Sequence, residues 1–555
     1  MRATTSSPRA RRRGACALAL PLAGVLWAAA PAAPREVAAA RSGAIVTAVA
    51  PLPGRLLAAA VARADGGRYG LALLVEGDAG PTAGSHGGAP TTSGPSGDPG
   101  GEVGPAGPRS VLFLDPDSSE LVTVAARVPG RVNALAALAA PPASAAPTVA
   151  DNRADQLILG EPGVLYAIDP PWGAGVAARS AAGCRKLLEA PGLDLRSVHG
   201  DRERAPRPRL PWLAVARAGR LELLAGDGAS PTPRELRQLA SFPLPQTATR
   251  EPWGIKLTSA PVHLLQAGAS EPAPPRFAVG PESQGGRRAR TLLVSATPGS
   301  APVEAWSLLP SDQRELDETS YAIWNGRPAL LLSAVPKLGI FVKRDLHLFL
   351  LARDRSRGGS PPFLSVHTEC TFWHPLRTYF AAAGGGGGAD LVLIHPEGLR
   401  GKKLRFQVHP DLGQGRLAAQ AHVSSLDVEV RDWFYGADFS GDGVPDLLVR
   451  SQGRLLLYPG LAKAYRLADR PTWSYALPAL RAQPGAKRER KGRDSGGDDG
   501  DDGQRAGSDE AASGGHLAAL VDLRGDGRAM LLLGVAGDQG HTVIVAVRRG
   551  ADPPR

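Results

Sequence analysis

Asp438-Phe439-Ser440-Gly441-Asp442-Gly443-Val444-Pro445-Asp446 runs directly into the apolar strand Leu447-Leu448-Val449. Oxygen-bearing side chains stand at positions 1, 3, 5 and 9 of this turn. A hard cation such as Ca²⁺ needs about six to eight oxygens at roughly 2.3–2.6 Å, and ligands alternating along a tightly wound loop all point inward. Asp438, Ser440, Asp442 and Asp446 are therefore candidate metal ligands, with the backbone carbonyl of Val444 supplying position 7 and Gly443 permitting the turn. The loop is not an EF-hand: Val449 stands where that motif needs a glutamate, and a strand follows instead of a helix. Asp and Gly also favour metal-free turns, so a cation is one of two readings of these residues.

Moving outward, the strand after the loop has counterparts along the chain. Short apolar runs begin at Leu71, Gln156, Trp212, Phe277, Leu330, Leu391, Leu447 and Leu531, at intervals of 85, 56, 65, 53, 61, 56 and 84 residues. The two long intervals contain residues 79–108, rich in Gly, Pro, Ser and Thr, and 483–514, rich in Gly and clustered charge. Such stretches cannot bury a core and read as disordered insertions. Without them every interval lies between 52 and 65 residues. Gly219-Arg220-Leu221-Glu222-Leu223-Leu224 and Gly453-Arg454-Leu455-Leu456-Leu457-Tyr458 follow their respective runs, which marks internal duplication.

A unit of this length with four short strands is a propeller blade, because one small sheet cannot bury both faces and must stack on neighbours around an axis. The expected fold is all-β, a β-propeller of eight four-stranded blades, with seven the alternative if the units near Trp212 and Phe277 merge. In one unit the strands are predicted at Val262 to Leu265, Arg276 to Val279, Thr291 to Val294 and Val303 to Leu308. After Leu531 one further strand is evident, Thr542 to Val547, so Ala44 to Val49 is expected to complete the last sheet and close the ring.

On the loop Asp438 to Asp446, the strand Leu447-Leu448-Val449 and the repeat spacing, the chain resembles the FG-GAP/VCBS repeat family, the calcium-loop propellers that include the head of integrin α chains. The resemblance implies that the loop joins the first two strands of a blade and that the protein is a calcium-stabilised binder, not a catalyst. Other loops depart from the pattern. Asp522-Leu523-Arg524-Gly525-Asp526-Gly527-Arg528-Ala529-Met530 places Arg at position 3 and Met at position 9. Asp151 and Asp155 keep positions 5 and 9, Asp390 stands alone after the run Gly384 to Gly388, and the loop before Leu330 has no carboxylate. One calcium site is expected, with the remaining loops keeping the turn without a metal.

Composition limits the function classes. With 68 Gly and 51 Pro among 555 residues, a long-helix or coiled-coil protein is excluded. Arg2, Arg9, Arg11, Arg12 and Arg13 precede an apolar run from Ala15 to Ala30, the layout of a secretory signal peptide, expected over residues 1–40 with the propeller over 41–555. The run is short and broken by Pro21, so it is not read as a membrane anchor. A secreted or periplasmic location and no transmembrane segment are expected. Losing five leader arginines brings the formal charge from +11 to +6, and no basic stripe with interleaved aromatics accompanies it, which argues against nucleic acid. Cys184 and Cys370 remain after processing, and their spacing leaves a disulfide or two thiols equally open.

No nucleophile elbow, zinc-protease or P-loop motif occurs. His367, His374 and His395 flank Cys370 without a standard zinc spacing. Arg524-Gly525-Asp526 spells a cell-adhesion tripeptide inside a decayed repeat loop and reads as accidental. Trp373, Trp433, Phe434 and Tyr435 read as blade packing. The leading reading is a non-catalytic propeller binding an extracellular protein or polysaccharide. The alternative is a carbohydrate-active lyase or hydrolase that uses the propeller channel.

Overall fold

The computed structural model describes residues 45–549, apart from 78–107, 141–153, 173–182, 197–206, 227–234, 267–275, 351–361, 479–516 and shorter loop stretches. All strands among the described residues belong to the unit Ser42–Arg555. The expected leader and nearly all of both expected insertions lie outside the described residues.

Eight four-stranded antiparallel sheets are formed among the described residues, which settles the blade count at eight. In chain order, blade 1 comprises Gly54–Arg63, Tyr69–Gly77, Arg109–Asp115 and Glu120–Ala125, and blade 2 comprises Ala134–Leu138, Gln156–Glu161, Val164–Ile168 and Arg185–Glu189. Blade 3 begins with the two-residue strand Asp194–Leu195, followed by Leu213–Arg217, Arg220–Gly226 and Leu236–Pro243. Blade 4 is Val262–Gln266, Arg276–Ser283, Ala289–Ser295 and Val303–Leu308, matching the four strands proposed from sequence. Blade 5 is Arg314–Trp324, Arg327–Pro336, Lys343–Leu350 and Leu364–Thr371, and blade 6 is Arg377–Ala381, Asp390–Glu397, Lys403–His409 and His422–Leu426. Blade 7 is Asp432–Ala437, Asp446–Ser451, Arg454–Tyr458 and Trp473–Ala476. Blade 8 takes Ala518–Val521, Met530–Ala536 and Thr542–Arg549 from the far end of the chain and Ile45–Pro51 from the near end. Two further two-stranded ribbons, Gln246–Glu251 with Gly254–Ser259 and Gly460–Leu461 with Arg466–Leu467, were not foreseen.

Each recurring apolar run is the second strand of a blade, and the packing shows why it is apolar throughout. In blade 7, Leu447 and Val449 join a cluster with Val392 and Ile394 of blade 6, whereas Leu448 joins Leu531 and Val545 of blade 8. Blade 8 repeats the division: Leu531 and Leu533 face blade 7, and Leu532 packs with Leu71 and Leu73 of blade 1. A strand buried on both faces has no polar alternation to show. Leu74 and Phe113 then meet Leu157 of blade 2, Ile158 meets Val215 of blade 3, and Leu221 meets Val262 of blade 4. The first strands of blades 4 and 5 lie side by side, and Leu331 of blade 5 packs with Leu391 of blade 6. The blades follow one another in chain order, and the last packs against the first.

The strands at the two ends of the chain are held in one continuous register, from Ile45 opposite Arg549 to Pro51 opposite Val543. Leu52 continues the link by donating its backbone N–H to Thr542 O at 2.8 Å, and Thr542 Oγ1 accepts Leu56 N–H of blade 1 at 3.0 Å. Tight hairpins join second to third strands where the duplicated Gly-Arg-Leu motifs begin. Ala218-Gly219 and Gln452-Gly453 both have two successive positive φ values, 48° and 72° in the first and 45° and 75° in the second, the type I′ turn that suits strand twist.

Trp324 shows how blades are tied laterally. It is fully buried at the end of the first strand of blade 5, and its indole Nε1–H donates to Ala389 O at 2.8 Å, immediately before the second strand of blade 6. Trp324→Ala removes the ring and this link together and is expected to cost about 3–5 kcal/mol in chemical denaturation. Trp324→Phe, which loses chiefly the hydrogen bond, should cost only about 1 kcal/mol.

Candidate functional site

The loop Asp438 to Asp446 lies between the first and second strands of blade 7, joining Asp432–Ala437 to Asp446–Ser451. Its form is set by its carboxylates accepting backbone N–H groups. Asp438 Oδ1 accepts Gly441 N–H at 2.5 Å and Asp442 N–H at 3.2 Å, and its Oδ2 accepts Gly443 N–H at 2.9 Å. Gly441 and Gly443 both have φ of +84°, where an L side chain is strained. A Cβ on Gly441 would also come within 2.3 Å of the Arg549 guanidinium carbon, so this side chain at the end of Thr542–Arg549 in blade 8 lies against the turn. Asp442 is exposed, and its Oδ1 accepts Val444 N–H at 2.9 Å.

Asp446 is the buried member. Its Oδ2 accepts the N–H groups of Phe439 and Ser440, both at 2.7 Å, while its Oδ1 accepts Gly460 N–H at 2.9 Å, beyond the third strand. The Ser440 hydroxyl stands 3.3 Å from Asp438 Oδ1 and 3.4 Å from Asp446 Oδ1, so three of the four predicted side chains converge. Burial pushes the Asp446 pKa up to about 6, with the charge of Asp438 adding in the same direction, against the pull of the backbone amides. Asp442 meets Val444 instead of the other two carboxylates, and among the described residues no three acidic, His or Cys side chains gather as a metal centre. The groups that converge are all hard oxygens around buried Asp446 and half-buried Asp438, the chemistry a divalent cation suits.

The carboxylate before the second strand has the same role in two other blades. Asp390 Oδ2 accepts Gly384 N–H at 3.1 Å and its Oδ1 accepts Asp411 N–H at 2.7 Å, again joining the loop before the second strand to the residue just after the third. Burial raises its pKa as well. In blade 2, Asp155 is fully buried and reaches sideways, with Oδ2 accepting Arg63 N–H of blade 1 at 2.8 Å and Arg209 Nε–H at 2.7 Å. The blade 6 loop is held by this latch carboxylate, whereas Asp155 ties its blade to blade 1. Of the decayed loop in blade 8, the Asp522 carboxylate accepts Arg524 N–H at 3.2 Å, while residues 525–527 lie outside the described set, as does Asp151.

The three histidines do not form one site. His367 is bonded to Asp345, His374 Nε2–H donates to Gly398 O at 2.8 Å, and buried His395 Nδ1–H donates to its neighbour Pro396 O at 2.9 Å. Desolvation lowers the His395 pKa and keeps it neutral. Cys184 belongs to blade 2 and Cys370 to blade 5, and they are not joined to each other. Trp433, Phe434 and Tyr435 are buried between blades, as expected, with the Tyr435 ring edge-on to Tyr379 and Phe406. Trp373 lies outside the described residues.

Sequence reasoning did not find the segment that runs through Arg207 and Leu210. It lies parallel to the first strands of blades 1 and 2, bridging Arg207 to Ala60 and Leu210 to Leu138. Those strands pair outward with their own blades, so the segment takes up their inner edges.

No protein-family model and no curated protein matches the chain. Among solved structures it is similar to the Nup133 β-propeller domain of Vanderwaltozyma polyspora, at 9% identity over 62% of this chain and 87% of that one, with a TM-score of 0.34. It is similar also to the WD40 domain of SCAP from fission yeast, at 11% identity over 91% and 98% of the two chains with a TM-score of 0.37. Core Factor of S. cerevisiae matches at 7% identity over 92% and 62%, with a TM-score of 0.35.

The raised pKa of Asp446 fixes a sign. A carboxyl whose folded-state pKa exceeds its unfolded value of about 4 favours folding below that value, and the contribution is lost as pH rises through about 6. In chelator, the melting midpoint of the wild-type chain relative to Asp446→Asn should therefore fall between pH 4 and pH 7. A difference that grows over the same range would contradict the burial of this group.

Proposed function

We propose that the mature chain is a secreted or periplasmic, non-catalytic propeller of the FG-GAP/VCBS kind, stabilised by one Ca²⁺ in the Asp438 to Asp446 loop, that binds a protein or polysaccharide partner. The observation that carries the calcium reading is the convergence of Asp438, Ser440 and Asp446 in the loop between the first two strands of a blade, the place implied by the family resemblance. Asp442 and the Val444 carbonyl would complete the donor set. A bound cation supplies positive charge to two carboxylates that burial otherwise sets against each other. The residues themselves fix the turn and tie it to Gly460, which makes the metal's role structural.

The binding reading over the enzymatic one is supported by the axial side of blades 1 and 2, where the inner strand edges are occupied by the segment through Arg207 and Leu210. On the outside, blade 6 exposes Leu412 at 63% and Val423 at 49%, side chains suited to contact with a macromolecule. The arginine-rich start followed by the apolar run supports export.

Two measurements test this. With an extracellular-type dissociation constant of about 10⁻⁴ to 10⁻³ M, 10 mM Ca²⁺ should raise the melting midpoint by about 1–3 °C over chelator, and Asp438→Asn/Asp442→Asn should abolish the shift. An unchanged midpoint would remove calcium from the proposal. Affinity capture with the mature chain from extracytoplasmic extract should recover a defined macromolecule at fixed stoichiometry. Turnover of a small carbohydrate with no such capture would favour the enzyme.

A further inference from the structure

The segment through Arg207 is anchored by its main chain. Arg207 N–H donates to Ala59 O at 2.9 Å, Arg207 O accepts Val61 N–H at 2.8 Å, and Leu210 O accepts Ala139 N–H at 2.8 Å. These bonds hold the Arg207 side chain at a cavity of about 20 Å³ where blades 2 and 3 meet. Ala136, Leu195, Leu210 and Trp212 form apolar wall, and Arg196 is the second cation there.

The guanidinium is poorly compensated. Its Nη2–H donates to Leu195 O at 3.1 Å, whereas Nη1 is enclosed and has no hydrogen-bond partner among the described residues. Arg196 lies close enough to oppose its charge, and Asp194, which partly offsets it, is itself engaged by Arg196 Nε at 3.2 Å. Desolvation, the largest influence on the group, lowers its pKa to about 10, so it stays charged at neutral pH. An enclosed guanidinium nitrogen left without an acceptor is costly, and an anion beside Nη1 offsets that cost.

Size and lining select the anion. The water-accessible space of about 20 Å³ beside the guanidinium matches a single monatomic ion. The apolar wall penalises strongly hydrated ions. We propose that this cavity is a halide site, occupied by chloride, in which Arg207 is the principal ligand and Arg196 contributes positive potential. It joins blades 2 and 3 at the place where the first strand of blade 3 is shortest, and it is independent of the Asp438 loop.

The test uses the full mature chain melted in sodium chloride and in sodium gluconate at equal ionic strength, in chelator. The midpoint should be higher in chloride and rise by about 1–2 °C per tenfold increase above the dissociation constant. Arg207→Met should abolish the dependence. Should that variant fail to fold, Ala136→Val, which fills the space and keeps the arginine, should abolish it instead. Crystals soaked in bromide should show an anomalous peak within hydrogen-bonding reach of Arg207 Nη1. Equal midpoints in the two salts, a chloride response that survives both substitutions, or an empty or water-filled cavity in bromide would each overturn the assignment.

Discussion

A four-stranded sheet whose second strand is apolar on both faces cannot stand alone in water, and the whole chain is organised by that constraint. Blade 7 covers blade 6 with Leu447 and Val449 and blade 8 with Leu448, so removing either neighbour would expose a face of one strand. Only a closed circuit satisfies every face. The last blade therefore takes Ile45–Pro51 from the start of the described chain to complete Thr542–Arg549, and its open edge disappears.

The loops that link first to second strands carry a second regularity. A carboxylate at the entrance of the second strand gathers backbone N–H groups from its own loop and from beyond the third strand in blades 6 and 7, and from the adjacent blade in blade 2. Asp390, Asp446 and Asp155 are thus fasteners first. Blade 7 adds Asp438, Ser440 and two left-handed glycines to the same fastener and so brings further oxygens beside it. The blade 7 loop is thus an elaboration of the hydrogen-bonded latch that Asp390 also forms in blade 6.

Much of the architecture was legible because burial on both faces writes an unbroken apolar run. All eight second strands show it, and the four strands of blade 4 were recognisable outright. Elements without an apolar signature were not legible. Asp194–Leu195 is too short to show a period, and the ribbon Gln246–Glu251 with Gly254–Ser259 is largely polar. Arg-Pro-Arg-Leu at 207–210 reads as a linker, because its attachment to the inner edges of blades 1 and 2 is made by backbone groups. At the candidate site, the positions of Asp438, Ser440 and Asp446 followed from spacing alone. Asp442 instead closes a local turn on Val444, and the closure of Arg549 over Gly441 depends on packing between blades, which spacing does not encode.

Ring closure is tested most directly by cross-linking its seam. Ala48 and Ala546 are opposite in the register of the two terminal strands. In a variant with cysteines at both positions and with Cys184 and Cys370 replaced by serine, oxidation of the folded protein should join 48 to 546 in peptide mapping and raise the melting midpoint. A bond that forms only after unfolding, or that joins 48 to a cysteine placed one residue away at 545 equally well, would contradict the closed eight-bladed ring.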